Sequence, residues 1–342
     1  PRRREPARGR GVPRPIRLLT PMPRLLLLAA LAIAPVLSGC GYTVFVDPCV
    51  EDPASCEPLG PEIIGGVNVS ALLGPPSNED LERARQLWTQ GAPAGYVGRV
   101  VDEMAAADGA QLYLLEARDA RSDTVVTLAL ARRPPLEGLP PSLPVLLIAP
   151  DLPDVSPAGF LTRPEDSPLG SRWVQVIAVP RGGTVSFRGE THQAPGPPSP
   201  YLYEVSDAIG VLTSARGSVP RANGRSAAIG FGRGGSVALL ASARDSRIRA
   251  VASLAAPADL FINDVRNGIR VVLDGRPAPE SIPGFGVVAS DVIVPLQAGA
   301  ITLDEARAAL LARSPAYFLT TVAPAVAFHG REDGVVGVVH GR

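Results

Sequence analysis

The chain has 342 residues, of which 46% are hydrophobic, so it can bury a large core and disorder throughout is excluded. Its 33 basic and 33 acidic residues cancel, but residues 1–24 hold eight Arg and one Glu, which leaves the remainder mildly acidic and argues against a nucleic-acid partner. Every basic residue is Arg, which excludes mechanisms built on a Lys base or a Schiff base.

The first element in chain order is an export signal. From Met22 the sequence reads MPRLLLLAALAIAPVLSGC. One Arg, an apolar run and small residues follow one another as in a secretory signal, and the run is too short to serve as a spanning helix. The tetrapeptide Leu37-Ser38-Gly39-Cys40 resembles the lipobox of bacterial lipoproteins, whose cysteine becomes the acylated first residue of the mature chain.

We therefore expect a lipoprotein signal peptide at 22–39, lipidation of Cys40, and a cell-envelope location with the membrane as a partner. An ordinary signal peptide with a chance cysteine is the alternative. Residues 1–21 are rich in Arg and Pro, and we interpret them as upstream of the functional product.

Segment 40–76 is punctuated by Pro and Gly, which predicts a tether between the lipid and the domain. Cys49 and Cys56 lie within it, and an exported compartment permits them to form a disulfide. Metal binding by these two cysteines is the weaker alternative, since no His or third free Cys lies nearby. The sequence predicts no metal site and no cofactor.

The remainder, 77–342, is predicted to be one domain in which strands alternate with helices. Ser77 or Asn78 can cap a first helix that ends at Gly91. The apolar runs Leu143–Pro150 and Trp173–Pro180 are continuous enough to be strands buried on both faces. Further predicted strands are Ala110–Glu116, Thr124–Ala131, SAAIGF (226–231), IRAVASLAA (248–256) and PAVAFHG (324–330), with helical spacing at Tyr201–Ala215.

This alternation predicts an α/β fold with a mainly parallel sheet flanked by helices. Between Pro257 and Thr321 the sequence has helical stretches such as TLDEARAALLAR. They predict a helical, lid-like insertion before the last strand.

A glycine-rich turn follows the run SAAIGF. Gly230, Gly232 and Gly235 form a literal G-x-G-x-x-G between an apolar run and a predicted helix, as in a dinucleotide-binding turn. Such a site needs the turn in the first βαβ unit and an acidic residue at the end of the next strand. Here several strands precede the turn, and Asp259 comes only after Pro257, so nucleotide binding is kept as the second alternative.

Around this turn the sequence resembles the prolyl-oligopeptidase-like (S9) branch of the α/β-hydrolases, over Val97 to Val338. The stretch IGFGRGGSVALLASARDSRIRAVASLAAPADLF is similar to the family's strand, elbow, helix and next strand, where the family has G-x-S-x-G-G. AFHGREDGVV (327–336) is similar to its H-G-x-x-D-x-x-V segment, and VPRGGTVSFRG (179–189) resembles the loop after its fourth strand. The resemblance implies the α/β-hydrolase fold and a serine peptidase or esterase ancestry.

The resemblance places the nucleophile at Gly232, the triad acid at Asp333 and one oxyanion-hole N–H at Arg233. The acid is present, but glycine stands where the family has serine. The elbow holds its central residue at positive φ, which glycine adopts with little penalty, so the turn survives without the hydroxyl that performs acyl transfer. Ser236 lies four residues further on, and we interpret it as a small helix residue rather than a substitute nucleophile.

Other parts of the family's machinery are also altered. Where the family has an H-G-G-like segment that supplies an oxyanion N–H, this chain has Pro150-Asp151-Leu152-Pro153, and its two prolines cannot donate. Among the histidines, His329 matches the family's structural His-Gly, His192 has no motif support, and His340 is interpreted as a near-terminal surface residue. The family's triad histidine lies much further past the acid, so we expect the domain to be truncated at Arg342.

The leading hypothesis is a lipid-anchored envelope protein whose hydrolase-fold domain has lost serine catalysis and binds a peptide, ester or protein partner. The first alternative is a working serine peptidase or esterase in which residue 232 is a sequence error and the C-terminal part is missing. A working hydrolase requires a serine at position 232, and nucleotide binding requires a glycine turn that is open to a phosphate. The surroundings of Gly232 therefore bear on all three hypotheses.

Overall fold

The computed structural model describes residues 61–90, 93, 95–163, 168–279 and 282–341. The predicted signal peptide with its upstream segment, Cys40, Cys49 and Cys56 lie outside the described residues. All described residues belong to one unit that spans Gly60–Arg342. Among them, no helix is both long and apolar enough to cross a membrane.

The described strands are numbered in chain order. They are β1 Ile63–Ile64, β2 Val67–Asn68, β3 Tyr96–Ala105, β4 Gln111–Asp119, β5 Val125–Arg133, β6 Leu143–Ala149, β7 Asp154–Val155, β8 Val174–Ala178, β9 Thr184–Phe187, β10 Glu190–Gln193, β11 Ala222–Phe231, β12 Ile248–Leu254 and β13 Ala325–Phe328. Of these, β4, β5, β6, β8, β11, β12 and β13 match the apolar runs of the sequence.

The described helices are numbered in the same way. They are α1 Val69–Leu72, α2 Asn78–Thr89, α3 Leu169–Arg172, α4 Tyr203–Ser218, α5 Arg233–Arg244, α6 Asn263–Leu273, α7 Phe285–Val288, α8 Val294–Gln297 and α9 Leu303–Leu311. A π-helical segment covers Ala289–Ile293, and 3₁₀ turns cover Pro157–Gly159, Pro315–Thr321 and Val338–Gly341.

Eight strands form the central sheet in the order β13-β12-β11-β6-β8-β5-β4-β3. From β8 through β6, β11 and β12 to β13, every neighbouring pair is parallel. β8, β5, β4 and β3 pair antiparallel at the other side. The predicted class, a mainly parallel α/β sheet flanked by helices, is confirmed.

The sheet separates two hydrophobic cores. Leu143, Val145 and Leu147 of β6 pack in one core with α4 and α5, whereas Leu146 and Ile148 belong to the core on the other face. This alternation is what a strand requires, because successive side chains point to opposite faces. It also explains why the sequence of β6 is apolar without interruption.

Helix α2 begins as predicted. Ser77 is its N-cap and forms a capping box with Asp80. Arg307 of α9 donates a hydrogen bond to Asp80 at 3.0 Å. Burial opposes ionisation of Asp80, but the hydrogen bonds from Arg307 and Ser77 outweigh it and lower the pKa of Asp80 to about 2. This ion pair ties the first helices to the insertion.

The predicted helical insertion is present between β12 and β13, as α6 to α9. Its helix α9 begins at a second capping box, formed by Thr302 and Glu305. The prediction of helices between Pro257 and Thr321 is confirmed, because caps and apolar periodicity are local signals.

Two features were not predicted. β3 forms the edge of the sheet, and none of its residues is fully buried, so its sequence lacks an apolar strand pattern. The segment 179–189, predicted only as a loop, contains β9, which pairs with β10 and with β7 in a separate three-stranded sheet. β7 follows the loop after β6, so this small sheet holds that loop beside the centre of the domain.

Candidate active site

A sharp turn joins β11 to α5. β11 ends at Phe231, Gly232 has φ 50° and ψ −123°, and α5 begins at Arg233. L side chains rarely adopt this positive φ, which glycine reaches without strain. The amide of Gly232 donates to the carbonyl of Leu254 on β12 at 2.8 Å, which fixes the turn at the carboxyl end of the parallel strands.

A central strand, a positive-φ apex and a helix are the parts of a nucleophile elbow. Gly232 lies at the apex of this elbow, on a mainly parallel sheet whose strand order leads through β12 to β13 and then to Asp333. The chain has the α/β-hydrolase fold. Gly232 thus lies where the sequence resemblance predicts a nucleophile, and a glycine carries no hydroxyl there.

Solved structures of several hydrolases are similar to the domain. Acetyl xylan esterase 1 from Thermoanaerobacterium sp. is 13% identical, with a TM-score of 0.48 over 77% of this chain and 81% of that one. An acetyl xylan esterase from Paenibacillus sp. R4 is 16% identical, with a TM-score of 0.45 over 79% and 95%. A puromycin-hydrolyzing peptidase of Mycobacterium tuberculosis is 15% identical, with a TM-score of 0.42 over 68% and 39%.

No family model and no curated protein matches the sequence. Similarity to structures as distant as these says nothing about the reaction or the substrate. The chemistry therefore has to be argued from the side chains around the elbow.

The space over the elbow is filled by Asp151, from the loop that follows β6. The N–H of Arg233 donates to Asp151 Oδ1 at 2.8 Å. A Cβ placed on Gly232 would overlap the Asp151 carboxylate, so a side chain at residue 232 requires Asp151 to move. The carboxylate thus occupies the space that a side chain at residue 232 would need, and it accepts the N–H that the sequence predicts as an oxyanion-hole donor.

The segment Pro150–Pro153 contributes more to the site than the sequence predicts. From the sequence we expect only that its two prolines lack N–H donors, whereas in the structure its Asp151 carboxylate lies over the elbow. A negative group at the first N–H of α5 is stabilised by the partial positive charge of the helix N-terminus. The same carboxylate opposes a phosphate at this position, which weighs against nucleotide binding.

The glycine pattern itself has a packing explanation. A Cβ on Gly230 would overlap the carbonyl oxygen of Gly234, and a Cβ on Gly235 would lie 2.8 Å from Ala256 Cβ. Glycine at these positions lets α5 approach β11 and the loop after β12 closely. The spacing of Gly230, Gly232 and Gly235 therefore does not require a cofactor.

Behind the elbow lies a buried ion pair that the sequence did not predict. Arg233 Nε and Glu204 Oε2 are 3.6 Å apart, and the two side chains are 12% and 5% exposed. Within the described ranges, neither Arg233 Nη2 nor Glu204 Oε1 has a hydrogen-bond partner. Burial raises the pKa of Glu204, and the guanidinium of Arg233 opposes that shift. The Arg233 side chain is thus engaged by Glu204, and its backbone serves Asp151.

The helical insertion borders the elbow at this point. Tyr201 is fully buried at φ 63°, and its hydroxyl donates to the carbonyl of Pro283. A Cβ on Gly284 would lie 2.8 Å from Pro200 Cγ and 3.5 Å from Arg233 Cδ, so the backbone of the insertion packs directly on these residues. A lid-like segment would have to lie here to cover the site.

Asp333, the predicted triad acid, is held by its own loop. Its Oδ1 accepts hydrogen bonds from the N–H groups of Val335 and Val336, both at 3.0 Å. These bonds lower the pKa of Asp333. His329 Nε2 lies 3.7 Å from Asp333 Oδ2 and 2.8 Å from the carbonyl oxygen of Val336. Both side chains therefore stabilise the loop after β13, which fits the structural role expected for His329.

The prediction that His340 is a surface residue is wrong. It is 8% exposed, and its Nδ1 accepts a hydrogen bond from the N–H of Asp259 at 3.3 Å. The 3₁₀ turn Val338–Gly341 brings the ring against the loop after β12, which the sequence alone could not indicate. Burial lowers the pKa of His340 to about 4; His329 acts in the same direction and Asp264 opposes it.

The structure groups these residues around two cavities. Asp333 and His340 line a cavity of about 420 Å³ together with Asp264. Asp151 lines a different cavity, next to the elbow, with Phe231. The predicted acid and the elbow therefore face different spaces.

The remaining candidates have ordinary structural contacts. Ser236 is fully buried and donates to the carbonyl of Pro257 at 2.8 Å, as a small helix residue would. His192 lies on β10, 3.9 Å from the carboxylate of Glu190. In the described ranges, no three His, Cys, Asp or Glu side chains are grouped so as to hold a metal ion.

Proposed function

We propose that this hydrolase-fold domain performs no serine catalysis and acts by binding a peptide, ester or protein partner. The observation that carries the proposal is the Asp151 carboxylate, which fills the side-chain space at Gly232 and accepts the N–H of Arg233. Gly232 and Asp151 fit each other, so glycine at 232 is matched by its surroundings rather than isolated within an intact site. This favours lost catalysis over a sequence error.

Two chemical consequences support the proposal. Loss of the nucleophile from a catalytic triad reduces turnover on the order of 10⁶-fold, or about 8 kcal/mol of barrier. Loss of one oxyanion donor costs a further factor of about 10² to 10³ in an active enzyme, and here that N–H is occupied by a carboxylate. The negative charge of Asp151 would also repel the oxyanion of an acyl-transfer intermediate.

A fluorophosphonate serine probe tests the proposal on the full chain. We expect no covalent labelling under conditions in which a known serine hydrolase, added to the same reaction, is labelled to completion. Labelling of the wild-type chain would overturn the proposal. Loss of that labelling in the variant Ser236→Ala would then identify Ser236 as the nucleophile.

We propose further that the protein is attached to the cell envelope through a lipid on Cys40. The support is the sequence MPRLLLLAALAIAPVLSGC, with its lipobox-like end. In bacteria that express the full chain, we expect the wild type in the membrane fraction and the variant Cys40→Ala released from it. Equal membrane association of both proteins would contradict the lipid anchor.

A further inference from the structure

An apolar cavity of about 320 Å³ lies beside the elbow. Ile148 of β6, Val155 of β7, Ile177 of β8 and Phe231 of β11 form its walls. Its volume is near the lower limit for small-molecule sites, which combine apolar walls with a few polar groups. The cavity is therefore suited to a small ligand with a hydrocarbon body.

The charged groups at this cavity are both negative. Among the described residues that line it, the ionisable ones are Asp151 and Asp154, and none is an Arg. Asp154 Oδ1 accepts the hydroxyl of Thr184 at 2.6 Å, so this carboxylate is held by a neutral donor. The cavity thus presents carboxylates without a cation from its own walls.

Asp151 retains capacity to bind a ligand. Among the described residues, the N–H of Arg233 is its hydrogen-bond donor, and that bond goes to Oδ1. The guanidinium of Arg233 is paired with Glu204 instead. A carboxylate has two oxygens and accepts several hydrogen bonds, so Oδ2 can receive a charged donor from a ligand.

We propose that this cavity binds a small organic cation, a primary ammonium group carried on a hydrocarbon body. The ammonium pairs with Asp151 Oδ2 and the hydrocarbon lies against the apolar walls. This inference rests on the proposed absence of serine catalysis and goes beyond the peptide, ester or protein partner proposed above, since it assigns a small ligand to the cavity beside the elbow. It reverses the preference of a hydrolase site, because the elbow of a working enzyme stabilises an anion.

Three compounds with the same hydrocarbon chain separate the contributions. Calorimetric titration of the full chain with hexylammonium, hexan-1-ol and hexanoate is expected to give the order ammonium, alcohol, carboxylate. A hydrogen bond to a charged partner justifies an advantage of about tenfold or more for the ammonium over the alcohol. Raising the salt concentration is expected to weaken ammonium binding and to leave alcohol binding unchanged.

The variant Asp151→Asn keeps an acceptor for the N–H of Arg233 and removes the charge. It is expected to lose about tenfold in affinity for hexylammonium with no loss for hexan-1-ol. The matched control is Asp304→Asn on α9, whose side chain is 62% exposed and pairs with Arg83. This control is expected to bind like the wild type.

Equal binding of ammonium and alcohol, or an unchanged ammonium affinity in Asp151→Asn, would overturn the assignment. Tighter binding of hexanoate would show an anion site instead and would also overturn it. The two hypotheses fail separately. If the chain neither reacts with a fluorophosphonate nor binds hexylammonium, only the ammonium site is contradicted. A chain that reacts with the probe contradicts the proposed function.

Discussion

The elbow and the loop after β13, which the sequence resemblance predicts to be two parts of one catalytic apparatus, differ in what each contains. The elbow has the backbone geometry of a nucleophile turn, with Gly232 at φ 50°, but no side chain at its apex. After β13 the acidic residue Asp333 is kept, but two N–H groups of its own loop engage one of its oxygens. The backbone turn and the acid-holding loop are therefore both present, but no contact in the described residues joins the Asp333 carboxylate to the elbow.

The largest expected effect concerns the elbow. Gly232→Ala adds a Cβ that overlaps the Asp151 carboxylate and forces alanine into a positive-φ turn. Strain of the turn costs about 1 to 3 kcal/mol, and displacement of the partly buried carboxylate from its hydrogen bond with the N–H of Arg233 adds about 1 to 2 kcal/mol, so we expect the free energy of unfolding to fall by about 2 to 5 kcal/mol. Urea unfolding followed by circular dichroism measures this loss.

The double variant Asp151→Gly, Gly232→Ala isolates the overlap. The carboxylate has already lost its hydrogen bond to the N–H of Arg233 in Gly232→Ala, so the double variant should be about as stable as Gly232→Ala, and the losses of the two single variants should not add. If the losses of free energy of unfolding from the two single substitutions simply add in the double variant, Asp151 does not occupy the space over Gly232. The fit between Gly232 and Asp151 at the elbow would then be wrong.

The next effect concerns His340, at the cavity that also contains Asp333. The pKa of His340 is about 4 in the folded chain, against about 6.5 when unfolded. As the pH falls from 6.5 to 4, the unfolded chain binds a proton that the folded chain does not, so stability falls by about 3 kcal/mol on this account. The check is the free energy of unfolding measured across this pH range.

The variant His340→Asn should lose this part of the pH dependence while retaining an acceptor for the N–H of Asp259. Asp264 and His329, which influence the ring, are the same in both proteins. Parallel pH profiles of the wild type and the variant would mean that His340 is not buried in the neutral form.

The smallest effect is expected at Asp333. Asp333→Ala removes the acceptor of two N–H groups in a partly exposed loop, which should cost about 1 to 2 kcal/mol in urea unfolding. Binding of hexylammonium should not change, because Asp333 lines the other cavity. An effect on binding as large as that of Asp151→Asn would show that the two regions still act as one site.

The fold could be predicted where the signal is local. β6 and β8 are buried on both faces, so their sequences are continuous apolar runs. The start of α2 is indicated by its capping residues. The sequence does not predict β3, because its residues are mostly exposed, nor the β9–β10 hairpin, because its strands are short. The pairing of these strands is decided by tertiary contacts.

The site could be predicted in its backbone but not in its occupant. The glycine turn is a contiguous pattern, whereas Asp151 and Gly232 are 81 residues apart and meet only in the folded chain. A signal was present: an acidic residue stands in the segment that normally provides donors, next to two prolines. The sequence alone indicates only a loss of N–H groups there, because sequence spacing does not show where a side chain points.

The fit between Gly232 and Asp151 also has an evolutionary consequence. A change of Gly232 to serine would place the new side chain against the Asp151 carboxylate, so the carboxylate would have to move before a hydroxyl at this position could act. The two positions are expected to vary together. Related sequences with serine at the apex should have a small residue in place of Asp151, and those with aspartate there should keep glycine at the apex.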